Sequence, residues 1–166
     1  MKALVTYYSE TGNTEKLARA IYEGAGQVDK QIVPINDAGD LEVYDLIFCG
    51  FPVQAHGVPA KVVSFLKTIP EGKKVALFGT HGSLKGGQMA IAGFYHAVSV
   101  SRKERVIGTF GCRGKVKFSL LDQLGKSPEH KAWVMEAQSA MGHPDEADLA
   151  DGREWAKEMV TRAIAC

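Results

Sequence analysis

Lys2-Ala3-Leu4-Val5-Thr6-Tyr7-Tyr8-Ser9-Glu10-Thr11-Gly12-Asn13-Thr14 opens the chain with an apolar run that gives way, through Ser9 to Thr14, to helical periodicity. Over 13–25, Leu17, Ala20, Ile21 and Ala25 share one helical face. The loop therefore sits at the carboxyl end of a strand and the amino end of a helix, where parallel α/β sheets bind ligands. A helix N-terminus offers unpaired N–H groups and positive potential, so a phosphate can bind there without Lys or Arg. Gly12 lets the backbone approach closely, while the Ser9, Thr11 and Thr14 hydroxyls and the Asn13 amide can donate to phosphate oxygens. The loop holds one acid, Glu10, and no base. Hydrogen bonding must carry the recognition. Without a ligand the same residues read as a Ser/Thr-rich helix cap.

Working outward, four further apolar runs follow, at 31–35, 45–50, 74–79 and 105–110, and several are apolar on both faces. Strands read this way when helices cover a parallel sheet from both sides. Helices are expected at 59–66 and 88–98. The β-α-β-α alternation predicts a three-layer α/β domain spanning 1–166, wound by right-handed crossovers.

After the fifth run about 30 residues intervene before the closing helix, a long connection for a compact domain. An inserted helical segment is expected at about 118–143. Within it, Ser127 and Pro128 mark a helix start, and 129–140 reads as a short helix. A closing helix runs from Asp145, with Leu149, Ala156, Met159, Val160 and Ala163 on one face, acids early and Arg162 late.

The 166 residues carry 20 Lys and Arg against 19 Asp and Glu, and no apolar run approaches the ~20 residues needed to span a bilayer. Cys49, Cys112 and Cys166 are far apart, with no C-x-x-C spacing, which argues against a disulfide scaffold or a metal cluster. The N-terminus lacks a signal-length apolar stretch, so a cytoplasmic location is expected.

Ser9-Glu10-Thr11-Gly12-Asn13-Thr14 resembles the S-x-T-G-N-T signature of the flavodoxin family at every specified position. The resemblance extends more loosely from residue 2 to about residue 111. It implies a five-stranded parallel sheet in the order 2-1-3-4-5 and a bound FMN whose phosphate rests on this loop. Neither G-x-G-x-x-G nor G-x-x-x-x-G-K-[ST] follows a strand here. Strand one also lacks the acid pair that a phosphorylated receiver domain uses to hold Mg²⁺.

The resemblance further implies two loops around the isoalloxazine ring. One is Pro52-Val53-Gln54-Ala55-His56-Gly57; the other is Thr80-His81-Gly82-Ser83, continuing to Gly86 and Gly87. Gly57 is the candidate for the peptide that reorients beside the ring's N5. Many relatives stack Trp or Tyr here, whereas this chain offers His56 and His81, which can stack, donate a hydrogen bond or stand as bystanders. The spacing from Gly50 to Pro59 is also similar to a quinone-reducing branch of the fold. Phe51 and Cys49 read as core, and Arg113 could lower the Cys112 pKa.

Arg102, Lys103, Arg105, Arg113, Lys115 and Lys117 crowd one stretch against Glu104 alone. The last three follow strand five at the ligand end, where they can steer an acidic redox partner, hold a nicotinamide-cofactor phosphate, or simply face solvent. Three functions stay open: an FMN-dependent electron carrier, an NAD(P)H-dependent FMN oxidoreductase acting on a quinone or other small acceptor, and a phosphate-sensing adaptor. The inserted segment, with Trp133, Met135 and Met141, reads as a lid or docking surface over the flavin, or as an extra core helix that buries Trp133.

Overall fold

A computed structural model describes residues 1–101 and 105–165. Arg102, Lys103 and Glu104 of the basic stretch, and Cys166, lie outside the described residues. Five parallel strands, β1 (Lys2–Tyr7), β2 (Asp29–Pro34), β3 (Leu46–Pro52), β4 (Lys74–His81) and β5 (Arg105–Arg113), form one sheet in the order β2-β1-β3-β4-β5. This is the order that the resemblance implies. The reversal on either side of β1 opens a crevice at the carboxyl edge.

Alternation along the central strands sends one set of side chains to each face. Val5, Phe48 and Phe78 meet Leu17 and Ile21 of α1 (Asn13–Gly24) and Ala156 and Met159 of α6 (Glu146–Ala165). Leu4, Ile47, Phe51 and Leu77 meet Val62 and Leu66 of α2 (Ala60–Leu66) and Ala97 of α3 (Gln88–Val100). Three layers result, and the central strands have no wet face. Helices α1 and α6 pack closely because Gly152 has no side chain; a Cβ there would lie 2.9 Å from Leu17 Cδ1.

The segment after β5 is helical, and besides the helix expected over 129–140 it holds a separate one, α4 (Phe118–Gly125), ahead of a 3₁₀ turn (Pro128–His130) and α5 (Lys131–Gln138). Ser127 does not cap the backbone; its hydroxyl meets Glu129 Oε1 at 3.2 Å. The hydroxyl donates to that carboxylate, while its oxygen accepts no backbone N–H of the turn. Strand β5 also continues to Arg113, three residues past its apolar run, because β4 pairs with it as far as His81. At the start of α6 the Asp148 N–H donates to Asp145 Oδ1 at 2.9 Å and the Asp145 N–H donates to Asp148 Oδ2 at 3.0 Å. This reciprocal cap explains why the closing helix begins where it does.

Candidate functional site

The first loop leaves β1 at Tyr8 and enters α1 through Gly12, whose φ of 87° lies in the left-handed region that favours glycine. The Gly12 N–H donates to Ser9 Oγ at 3.1 Å, and the Lys16 N–H closes the first helical turn on the Gly12 carbonyl at 2.9 Å. Among the described residues, the N–H groups of Ser9, Glu10, Thr11, Asn13 and Thr14 have no protein acceptor. They form a set of open main-chain donors at a helix N-terminus.

Two side chains of this loop are turned to other work. Thr14 is buried and its hydroxyl lies 2.9 Å from that of Thr80 at the end of β4. The Asn13 amide donates to the Lys115 carbonyl at 2.7 Å, holding the chain that follows β5. Both groups position the loop, whereas sequence alone offered them as free donors. Glu10 accepts from Tyr8 Oη at 2.8 Å and from Gln54 Nε2 at 3.0 Å, and pairs with Lys117 at 3.4 Å. The hydrogen bonds from Gln54 and Tyr8, ahead of Lys117, hold its carboxyl below the usual range. One carboxylate thereby joins the segments after β1, β3 and β5.

In the second loop, Pro52 ends β3 and a tight turn follows. Gln54 and Gly57 exchange both main-chain hydrogen bonds, at 3.0 and 2.8 Å, around Ala55 at φ 45° and His56 at φ 63°. Two successive left-handed residues are what a type I′ turn requires, and neither is glycine. Gly57 is pinned in this pairing, and a Cβ on it would come 2.8 Å from His96 Nδ1. That same His96 nitrogen accepts the Val58 N–H at 3.1 Å, stapling the loop to α3.

The third loop leaves β4 at His81, which is buried, with Nδ1 3.0 Å from the Ser83 carbonyl. Burial holds this imidazole below its ordinary pKa, so it is neutral at pH 7 and its Nδ1–H donates. Gly82, Ser83 and Gly87 border a cavity of about 930 Å³, together with Val53, Gln54, Ala55 and His56. Gly86 instead borders a smaller groove beside α3.

The far wall of this cavity comes from the inserted helices. Leu120 and Leu124 of α4 and Trp133 and Glu136 of α5 line it, with Val116. Glu136 accepts the Leu84 N–H, and Arg113 donates to the Ser83 carbonyl at 3.2 Å and the Glu136 carbonyl at 2.8 Å. These bonds clamp the third loop to α5. Two polar atoms in the lining residues, Ser83 Oγ and Trp133 Nε1, are buried without a hydrogen-bond partner among the described residues. The indole is therefore a wall of the cavity, and its ring also packs on the small cluster of Leu121, Val134 and Ala137. The spacing of Leu120, Leu121 and Leu124 was the available signal for α4, at barely two helical turns.

The cationic residues after β5 divide differently from the sequence expectation. Arg113 is spent inside the fold on Ser83, Glu136 and Ser139, and Lys117 pairs with Glu10. Lys115 alone of the three keeps an exposed side chain without an acceptor among the described residues. Arg113 does not activate Cys112, because burial pushes that thiol up to about 12. Cys49 is likewise buried and raised to about 12.

A family model described as "Flavodoxin domain" matches residues 4–157. The chain is 33% identical over 175 residues to the flavodoxin-like domain-containing protein BilS of Clostridioides difficile, covering 98% of each. It is 26% identical over 196 residues to an NAD(P)H dehydrogenase (quinone) of Azorhizobium caulinodans, covering 99% of this chain and 97% of that one. Among solved structures, a flavoprotein in complex with FMN from Lactobacillus acidophilus is similar at a TM-score of 0.56 and 22% identity, over 66% of this chain and 92% of its own. With the signature loop at the sheet's carboxyl edge and a family match across nearly the whole length, the chain belongs to the flavodoxin family.

Proposed function

We propose that this protein binds FMN and carries electrons between redox partners. The observation that carries the reading is the donor set: open main-chain N–H groups on the first loop, and two buried, unpartnered polar atoms in the cavity wall. An unsatisfied buried polar group costs about 1–3 kcal/mol, so a ligand that supplies acceptors recovers that energy on binding. FMN fits this set, with a phosphate for the helix N-terminus and a heteroaromatic ring with carbonyls for the cavity. Glu10 is the one group of the wrong sign for a phosphate neighbour. Its charge is shared with Tyr8, Gln54 and Lys117, which tempers the repulsion.

Bound FMN supplies a ring that takes up and releases electrons singly or in pairs. The chain's own residues do the rest. The N–H groups of residues 9–11, 13 and 14 grip the phosphate, with the Ser9 and Thr11 hydroxyls beside them. Ser83 and Trp133, whose Oγ and Nε1 lack partners, would be the side-chain donors nearest a ring held in the cavity, and Val53, Leu120 and Leu124 would keep water from it. Glu10, Thr14, Asn13 and Arg113 hold the loops in register.

Two observations favour a second reading, direct reduction by NAD(P)H with a quinone as acceptor. They are the near full-length likeness to a protein named for that reaction and a cavity near the upper end of small-ligand pockets, at about 930 Å³. One experiment separates the two. Purified protein is titrated with FMN, following the quenching of flavin fluorescence, and NADPH is then added without oxygen. Uptake without bleaching supports the carrier, and rapid bleaching supports the reductase. Failure to take up FMN overturns both and leaves the adaptor reading.

A further inference from the structure

Helix α3 carries no Asp, Glu, Lys or Arg in its 13 residues, although it lies on the outside of the sheet. Ala90, Gly93 and Ala97 form its buried face. Ile91, Tyr95 and Val98, spaced by four and three residues, form an outward stripe and are 60%, 77% and 41% exposed. A surface helix ordinarily turns charge to solvent, and apolar character all round belongs to helices that are covered.

This ridge forms one wall of a groove of about 490 Å³ between α3 and the edge strand β5, whose floor and far side include Phe94, Thr109 and Gly111. It exists because β5 presents only small residues there; a Cβ at Gly111 would lie 2.7 Å from Phe94 Cε2. A ridge and a groove side by side on one face are self-complementary about a two-fold axis, since each copy's ridge enters the other's groove. The three exposed side chains present on the order of 400 Å², about half of the ~800 Å² that each partner gives to a stable interface. The neighbouring edge of β5 and the tip of the third loop adjoin them. Charge does not oppose the pairing. The helix has none to bring against its copy, Lys85 at the groove is paired with Asp151 at 3.6 Å, and a net charge of +1 leaves little repulsion between whole chains.

We infer that the chain forms a two-fold dimer through the α3–β5 face, with Tyr95 of each copy seated in the groove of the other. His81, Lys85 and Gly86 line the same groove. The second copy thus backs the loop whose other side borders the large cavity, bracing the site from outside. The pairing needs no bound flavin.

The test is sedimentation velocity of the full chain across the micromolar range, with Tyr95→Asp, Tyr95→Phe and Val98→Lys, each checked for folding by circular dichroism. The expected result is a dimer for the wild type and for Tyr95→Phe, which keeps the packing ring. A carboxylate buried at the centre weakens association at least about thirtyfold, as loss of a central tyrosine anchor does. Val98→Lys acts in the same direction and carries the test if Tyr95→Asp does not fold. A monomeric wild type, or a dimer indifferent to the charged substitutions, overturns the inference. FMN titration of the same samples reports on the cofactor separately, so either conclusion can fail alone.

Discussion

The hydroxyls of Thr14 and Thr80 lie 2.9 Å apart in the buried interior, linking the first turn of α1 to the end of β4 across the intervening strand β3. This bond sets where α1 begins relative to the third loop. Replacing either residue by Val leaves one buried hydroxyl without its partner, at a cost of about 1–3 kcal/mol. Replacing both removes the unsatisfied group, so the double variant is expected to lose less than the two single losses combined. Urea unfolding of the four proteins measures this coupling.

Ser83 is 3% exposed and its hydroxyl has no partner among the described residues. Ser83→Ala is expected to raise the stability of the flavin-free protein by about 1 kcal/mol, since the buried polar atom is removed with little change of shape. FMN affinity should fall by about tenfold, the worth of one hydrogen bond. Opposite signs for thermal stability and FMN affinity are the signature; a fall in both would mean that Ser83 serves the fold.

Ala55 and His56 hold left-handed backbone in a turn that favours Asn-Gly. The double substitution Ala55→Asn and His56→Gly is expected to stabilise the protein by about 1 kcal/mol or more, by relieving two conformations that side chains disfavour. Calorimetry checks the stability. A loss of FMN affinity alongside it would show that the His56 ring contacts the cofactor.

Glu10 is held below the usual carboxylate range, chiefly by the hydrogen bonds from Gln54 and Tyr8. A carboxyl whose folded-state pKa is depressed contributes stability above its unfolded pKa, about 4.3, and loses it as pH falls through the lower folded value. Glu10→Gln is therefore expected to be less stable than wild type at neutral pH, and the gap should close as acid is added below pH ~4. The effect is small because the group is more than a third exposed. Paired urea titrations against pH check the sign.

Arg113 reaches Ser83, Glu136 and Ser139 through one planar guanidinium. Arg113→Lys keeps the charge and loses the fork, so the third loop should separate from α5. Faster amide exchange at residues 82–87 and 136–139 is the expected result, with protection of the central strands unchanged.

Strand positions, layer count and the polar loop at the sheet's carboxyl edge were legible in the chain because they depend on local pattern: apolar runs on both faces, helical stripes, and a polar loop between the first pair. The eight residues of α4 were not, because two turns show little periodicity and their apolar side chains gain a partner only from α5 and the third loop. The same applies to Arg113. Its charge suggested an outward role, and only the fold brings carbonyls from two distant segments within its reach.

By itself the order of residues determined the strands, the helices with a clear apolar stripe and the loop with the S-x-T-G-N-T pattern, since burial periodicity and helix-terminus chemistry act over a few neighbouring positions. Tertiary structure alone decided which polar groups are spent and which are open. Thr14 and Asn13 are paired by residues 66 and 102 positions away, while Ser83 and Trp133 are left without partners at a common cavity. Hydrogen bonding saturates, so a side chain's availability to a ligand depends on what the rest of the chain brings to it.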